Sequence, residues 1–157
     1  MDSSLFAALG GILVVLVLIV IAIAVLIIVS LWKIFVKAGE AGWKAIIPYY
    51  NSFIQFKLFW NTTIFWVYLA VSLVYSFTNG KSGFLGVVGV LTGLATLVLT
   101  VMLCYYMAKS FGKGVGFTVG LCLLPVVFFP ILAFGDAQYI GNGSQSGNGP
   151  VNPTPYA

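Results

Sequence analysis

The run from Leu5 to Leu31 constrains this chain more than any other feature: it holds 27 residues without a charge or a proline. As a helix it is about 40 Å long, against a hydrocarbon core of about 30 Å. A helix that long crosses a bilayer with tilt or overhang. The opening Met1-Asp2-Ser3-Ser4 places an acid where a signal peptide has its basic region, and the run is too long for one. An uncleaved span is expected.

Three more apolar runs follow, over residues 60–77, 84–107 and 115–134. Thr78-Asn79-Gly80-Lys81-Ser82-Gly83 between the second and third predicts a tight hairpin. The fourth contains Pro125 and Pro130, each of which removes a backbone hydrogen bond, yet twenty uncharged residues predict one kinked span. The expected fold class is an all-α membrane protein with four transmembrane helices within residues 1–138, followed by a flexible Gly/Asn/Ser/Pro tail over 139–157. Composition agrees: 61% of residues are hydrophobic and 6% charged. A soluble domain carries about 25% charged residues to coat its surface.

Residues 33–59 differ in texture, mixing lysines, glycines and aromatics. Trp43, Lys44, Pro48, Tyr49 and Asn51 predict an amphipathic element lying in the membrane interface and broken at Pro48. A re-entrant loop is the alternative. Asn51 and Gln55, four apart, share one helical face.

The seven lysines orient the chain. Lys33, Lys37, Lys44, Lys57, Lys109 and Lys113 fall in the first and third loops, and Lys81 in the second. The positive-inside rule puts the loops around 33–59 and 108–114 in the cytoplasm and both termini outside. Lysines strung singly between apolar runs do not form the clustered basic face that nucleic acid requires, so the bilayer is the expected partner.

Little chemistry remains available. With no histidine and no arginine, a Ser–His pair, a His-bearing metal site and a bidentate phosphate clamp are all excluded. Cys104 and Cys122 lie inside apolar runs as free thiols, and no cofactor or metal is expected. Gly80-Lys81-Ser82 lacks the earlier glycine of a phosphate-binding loop, because Tyr75 stands there. Gly112-Lys113-Gly114-Val115-Gly116 lacks the third dinucleotide-loop glycine, its place being Phe117. Asn61-Thr62-Thr63 and Asn142-Gly143-Ser144 match the glycosylation pattern without informing function. The candidate functional acids are Glu40, expected on the inner side, and Asp136, expected near the outer surface. Ser82 with Lys81 and Ser110 with Lys109 are the nearest approach to a Ser–Lys dyad, but adjacent side chains diverge.

Small residues recur along the third run as Gly86, Gly89, Gly93, Thr96, Thr100 and Cys104, on one helical face. Such a face lets helix backbones approach closely. It serves either packing against the chain's own helices, the favoured reading, or a homo-oligomer or other membrane-protein interface.

The stretches WKIFVKAGEAGWKAIIPYYN (Trp32–Asn51), AKSFGKGVGF (Ala108–Phe117) and LLPVVFFPILAFGDAQYIG (Leu123–Gly141) resemble a family of small bacterial multi-pass membrane proteins of unknown function. Its members are often labelled signal peptidase I, because a similar unit precedes the peptidase domain in longer chains. That label implies an extracytoplasmic β domain, for which the short tail leaves no room. The resemblance implies a bacterial cytoplasmic-membrane protein and brings no catalytic residues. The expected role is therefore non-catalytic: an accessory or assembly module of the cell envelope acting through helix contacts. The alternatives are a small channel or carrier using proline-broken helices and the hydroxyls of Thr62, Thr63, Ser72, Thr92, Thr96 and Thr100, and, last, an intramembrane peptidase.

Overall fold

The computed structural model describes residues 3–141, with side chains from Leu9 onward, so Asp2, Asn142 and most of the tail lie outside the described residues. Every regular element among them is helical. Helix α1 (Ser3–Lys37) leads to a 3-10 turn (Gly42–Ala45), α2 (Tyr50–Phe59), α3 (Thr62–Thr78), α4 (Gly83–Ser110), α5 (Val115–Leu123) and α6 (Pro125–Phe134). Two helices are long and apolar enough to cross a membrane: α1, from Leu9 to Lys37, and α4. Large apolar side chains from Leu9 to Val29 stand exposed along α1, a surface suited to lipid rather than water.

Local chemistry sets the helix ends. After α1 the chain turns through Gly39 at φ 81°, with Glu40 N donating to Phe35 O and Gly39 N to Val36 O. After α4, Gly112 at φ 67° closes the same pattern, with Lys113 N donating to Ala108 O and Gly112 N to Lys109 O. Both are Schellman endings, which need a left-handed residue that glycine adopts without strain. Asn61 caps α3 by accepting from Thr63 N at 2.7 Å. This is a structural use for the residue that heads a glycosylation pattern.

The core gathers at one end of the molecule. Ile34 and Phe35 of α1, Phe59 of α2, Ala108 of α4 and Leu132 of α6 are fully buried there, with Leu121 of α5 and Met107 nearly so. α1 packs against α6 and the 3-10 turn, α3 against α4, and α2 against α3 and α4. The broken segment after α1 thus plugs the loop end of the bundle. Aromatic contacts continue from Phe53 and Phe56 of α2 to Phe65 of α3.

The single kinked helix expected over residues 115–134 does not form. The chain breaks at Leu124 (φ −132°, ψ 60°), and Pro125 opens α6 at a position where its missing N–H costs nothing. α6 then folds back along α5: Phe117 and Phe128 meet edge to face at 5.0 Å, and a Cβ on Gly120 would fall 2.2 Å from the Phe128 ring. The two helices, of 9 and 10 residues, form a hairpin about 15 Å deep whose ends both lie at the loop end.

Candidate functional site

Two regions carry the polar groups. The first is the loop end, where Lys37 Nζ donates to the carbonyls of Leu132, Gly135 and Ala137 at 2.9, 2.7 and 3.1 Å. The first two are open carbonyls at the end of α6, which a cation satisfies well, and the third belongs to the chain just beyond it. Tyr139 Oη donates to Leu58 O at 2.7 Å, and Ile140 N to Ser110 O at 2.8 Å. Residues 139 and 140, assigned from sequence to the tail, are thus fastened to α2 and α4. Lys33 stands over the Phe134 ring, 4.3 Å from its centroid.

These bonds correct the placement of Asp136. It does not sit across the molecule from Glu40: its neighbours Gly135 and Ala137 are bound to Lys37, three positions before Glu40, and residue 141 ends beside the loops. The expectation that the chain leaves the fourth run at the end opposite those loops fails, because the run reverses on itself. Glu40 bridges two lysines, accepting from Lys44 and, at 2.7 Å, from Lys57. Burial pushes its carboxyl up, but the hydrogen bonds and charges of Lys44 and Lys57 outweigh that and hold it below the ordinary glutamate value.

The rest of the 33–59 segment is tied by polar side chains. Asn51 Nδ2 donates to Ala45 O at 3.0 Å, and Gln55 Nε2 to Asn51 Oδ1 at 2.8 Å. Trp43 and Tyr50 stack at 6.4 Å, both exposed. After Pro48, Tyr49 takes a positive φ of 61°, uncommon for a residue with a side chain, and turns the chain into α2.

The second region is a groove enclosing about 1030 Å³ beside α4. It is lined along α4 from Gly86, Gly89, Gly93, Thr96 and Thr100 on to Leu103, Cys104 and Met107, and from the hairpin by Leu121, Leu123, Pro125 and Phe129. The α3–α4 turn, Asn79-Gly80-Lys81, lines one end of it. Part of the glycine face is already covered: a Cβ at Gly89 would lie 3.1 Å from Thr78 O, and one at Gly93 3.0 Å from the Tyr75 ring. Thr96, Leu97, Thr100 and Val101 continue the face into the open groove. The hairpin makes this groove, and no sequence pattern announced it.

The hydroxyls weighed as a polar path turn to their own helices. Ser72, Thr92, Thr96 and Thr100 donate to the carbonyls four residues earlier, at 2.7 to 2.9 Å. Ser110 Oγ likewise donates to Tyr106 O at 2.8 Å rather than to Lys109. Among the described residues no cluster of three His, Cys, Asp or Glu could hold a metal ion.

The profile of a family of unknown function, DUF5684, matches residues 43–142. The chain belongs to that family. In this DUF5684 chain the matched part holds the 3-10 turn from Trp43 onward and α2 to α6, groove and hairpin included, and leaves α1 with its Lys37 outside. No curated protein and no solved structure matches the chain.

Proposed function

We propose that this DUF5684 chain is an integral membrane protein that crosses the bilayer three times, by α1, α3 and α4, with α5 and α6 entering from the loop side and returning to it. α3, with 17 residues, reaches about 26 Å, close to the hydrocarbon thickness. Loops 33–59 and 108–114 and residue 141 face the cytoplasm, since six of the seven lysines lie on that side. The setting is a bacterial cytoplasmic membrane, as the family resemblance implies.

Its role on this reading is non-catalytic: an accessory or assembly module that holds another membrane component against α4. The observation that carries this is the groove itself, open beside a small-residue face, while Glu40, Lys37, Lys44 and Lys57 are engaged in tying the loop end together. A photocrosslinking residue at Leu97, in the groove, is expected to capture one membrane component at far higher yield than the same residue at Val98, which lies outside it. Equal, diffuse capture from both positions overturns the reading.

A channel or carrier draws on the same broken backbone. The threonine hydroxyls along α4 instead donate to their own helix, which leaves the groove an apolar lining. Solute or ion flux through reconstituted protein would favour the carrier over the module.

A further inference from the structure

Three sulfur-bearing side chains line the groove: Cys104 and Met107 from α4, and Cys122 from α5. Cys104 lies about 9 Å from the loop end of α4, and Cys122 about 10 Å into α5 from that same end. The two packed helices therefore present both cysteines at one depth. Their side chains are hydrogen-bonded to one another, and each is half-buried, opening onto the groove. Met107 follows Cys104 by three positions, on the same face of α4, and is buried against the core. Its unbranched thioether adapts readily to what lies beside it.

Few ligands suit this donor set. Among the described residues no carboxylate and no imidazole lines the groove. Calcium and magnesium call for oxygen ligands, and magnesium keeps several waters that an apolar wall does not hold. Zinc calls for four ligands, with nitrogen or further thiolates among them. Two thiols and a thioether suit a soft monovalent cation, Cu(I) above all. Charge agrees with this. When Cu(I) displaces one thiol proton to solvent, the cation and the single thiolate are together neutral, which an apolar lining tolerates. No electron moves in that exchange.

We propose that Cys104, Cys122 and Met107 form a binding site for Cu(I), reached through the groove and joining α4 to α5 through sulfur. The two thiols hold the ion, one of them as thiolate, and the Met107 thioether completes a three-sulfur set. The bound ion pins the hairpin to α4, so it stabilises the fold as any ligand of the native state does. The site does not depend on which membrane component the groove holds beside Leu97.

The reduced full chain, purified in mild detergent and titrated with Cu(I) against a chromogenic copper chelator without oxygen, tests this. The wild type is expected to hold about one Cu(I) per chain, with a sulfur-only shell in X-ray absorption and a raised unfolding midpoint. Cys104→Ser and Cys122→Ser are each expected to lose the ion at the same chelator concentration. Met107→Leu is expected to weaken binding about tenfold, since it removes one ligand and leaves both thiols. Met102→Leu, on α4 but outside the groove, is expected to bind as the wild type does. No Cu(I) held by the wild type, full retention by both cysteine variants, or oxygen or nitrogen in the metal's shell overturns the site. Full retention by Met107→Leu overturns the three-sulfur set. Each of these results leaves the module reading to its own crosslinking test at Leu97.

Discussion

Lys37 Nζ donates to the carbonyl oxygen of Gly135 at 2.7 Å, joining residues 98 positions apart. The same ammonium reaches Leu132 O and Ala137 O. One side chain of α1 therefore closes the end of α6 and fixes where the hairpin returns. Lys37→Met keeps the unbranched apolar stem of the side chain and removes all three bonds. It is expected to lower stability by about 2 kcal/mol, the worth of charge-assisted hydrogen bonds to partly buried carbonyls. Thermal unfolding in detergent measures this, and Lys37→Arg should recover part of the loss.

Glu40 should give the loop end a dependence on acid. Its carboxyl lies below the ordinary value of 4.5, so its contribution is complete above that pH and is lost as pH falls through the depressed value. Glu40→Gln is expected to cost roughly 1 kcal/mol at neutral pH and to flatten this part of the acid response. Unfolding midpoints of both proteins between about pH 3 and 7, a range that brackets the carboxylate transition, make the comparison.

Gly120 is the contact on which the hairpin closes. A Cβ there would lie 2.2 Å from the Phe128 ring, so Gly120→Ala must displace that ring. Overpacking of this kind costs about 1–3 kcal/mol. Pairing Gly120→Ala with Phe128→Leu should recover much of it, which a double-mutant cycle reads directly.

Gly89→Leu and Gly93→Leu push against Thr78 and Tyr75 of α3. The expected result is a lower unfolding midpoint from parting α3 and α4, with no change in the protein's mass in detergent. A change of mass at unchanged stability would instead assign this face to association between copies.

Direction is open to measurement as well. In a chain with Cys104 and Cys122 replaced by alanine, Lys81→Cys is expected to react with an impermeant maleimide in intact cells, and Gly141→Cys only after lysis. Labelling of both in intact cells would return the fourth run to a full crossing.

Much of this architecture is legible in the residues. The charge-free runs locate α1, α3 and α4, and Pro48 marks the break before α2. Helix ends run past the apolar runs where amphipathic residues continue the period, as Trp32 to Lys37 do at the end of α1. The reversal at Leu124 is another matter. Twenty uncharged apolar residues satisfy one crossing or two half-depth helices equally, because lipid covers either and hydropathy is blind to direction. The signals were Pro125, suited to opening a helix, and Gly120 eight residues before Phe128, a flat site for a returning ring. Asp136 followed the hairpin, and its misplacement has the same origin. The groove was hidden for a further reason: it is the space that a shortened element leaves, and an apolar run does not record what it fails to fill.

The half-depth hairpin gives the molecule unequal girth. On the proposed topology the cytoplasmic leaflet must make room for α1, α3, α4, α2 and the paired α5 and α6, while the opposite leaflet meets only three helices. A body of that cross-section is a wedge. It relieves most strain where the bilayer bulges toward the cytoplasm, so its residence should follow the contour of the membrane, with flat regions enriched over the strongly curved cell poles.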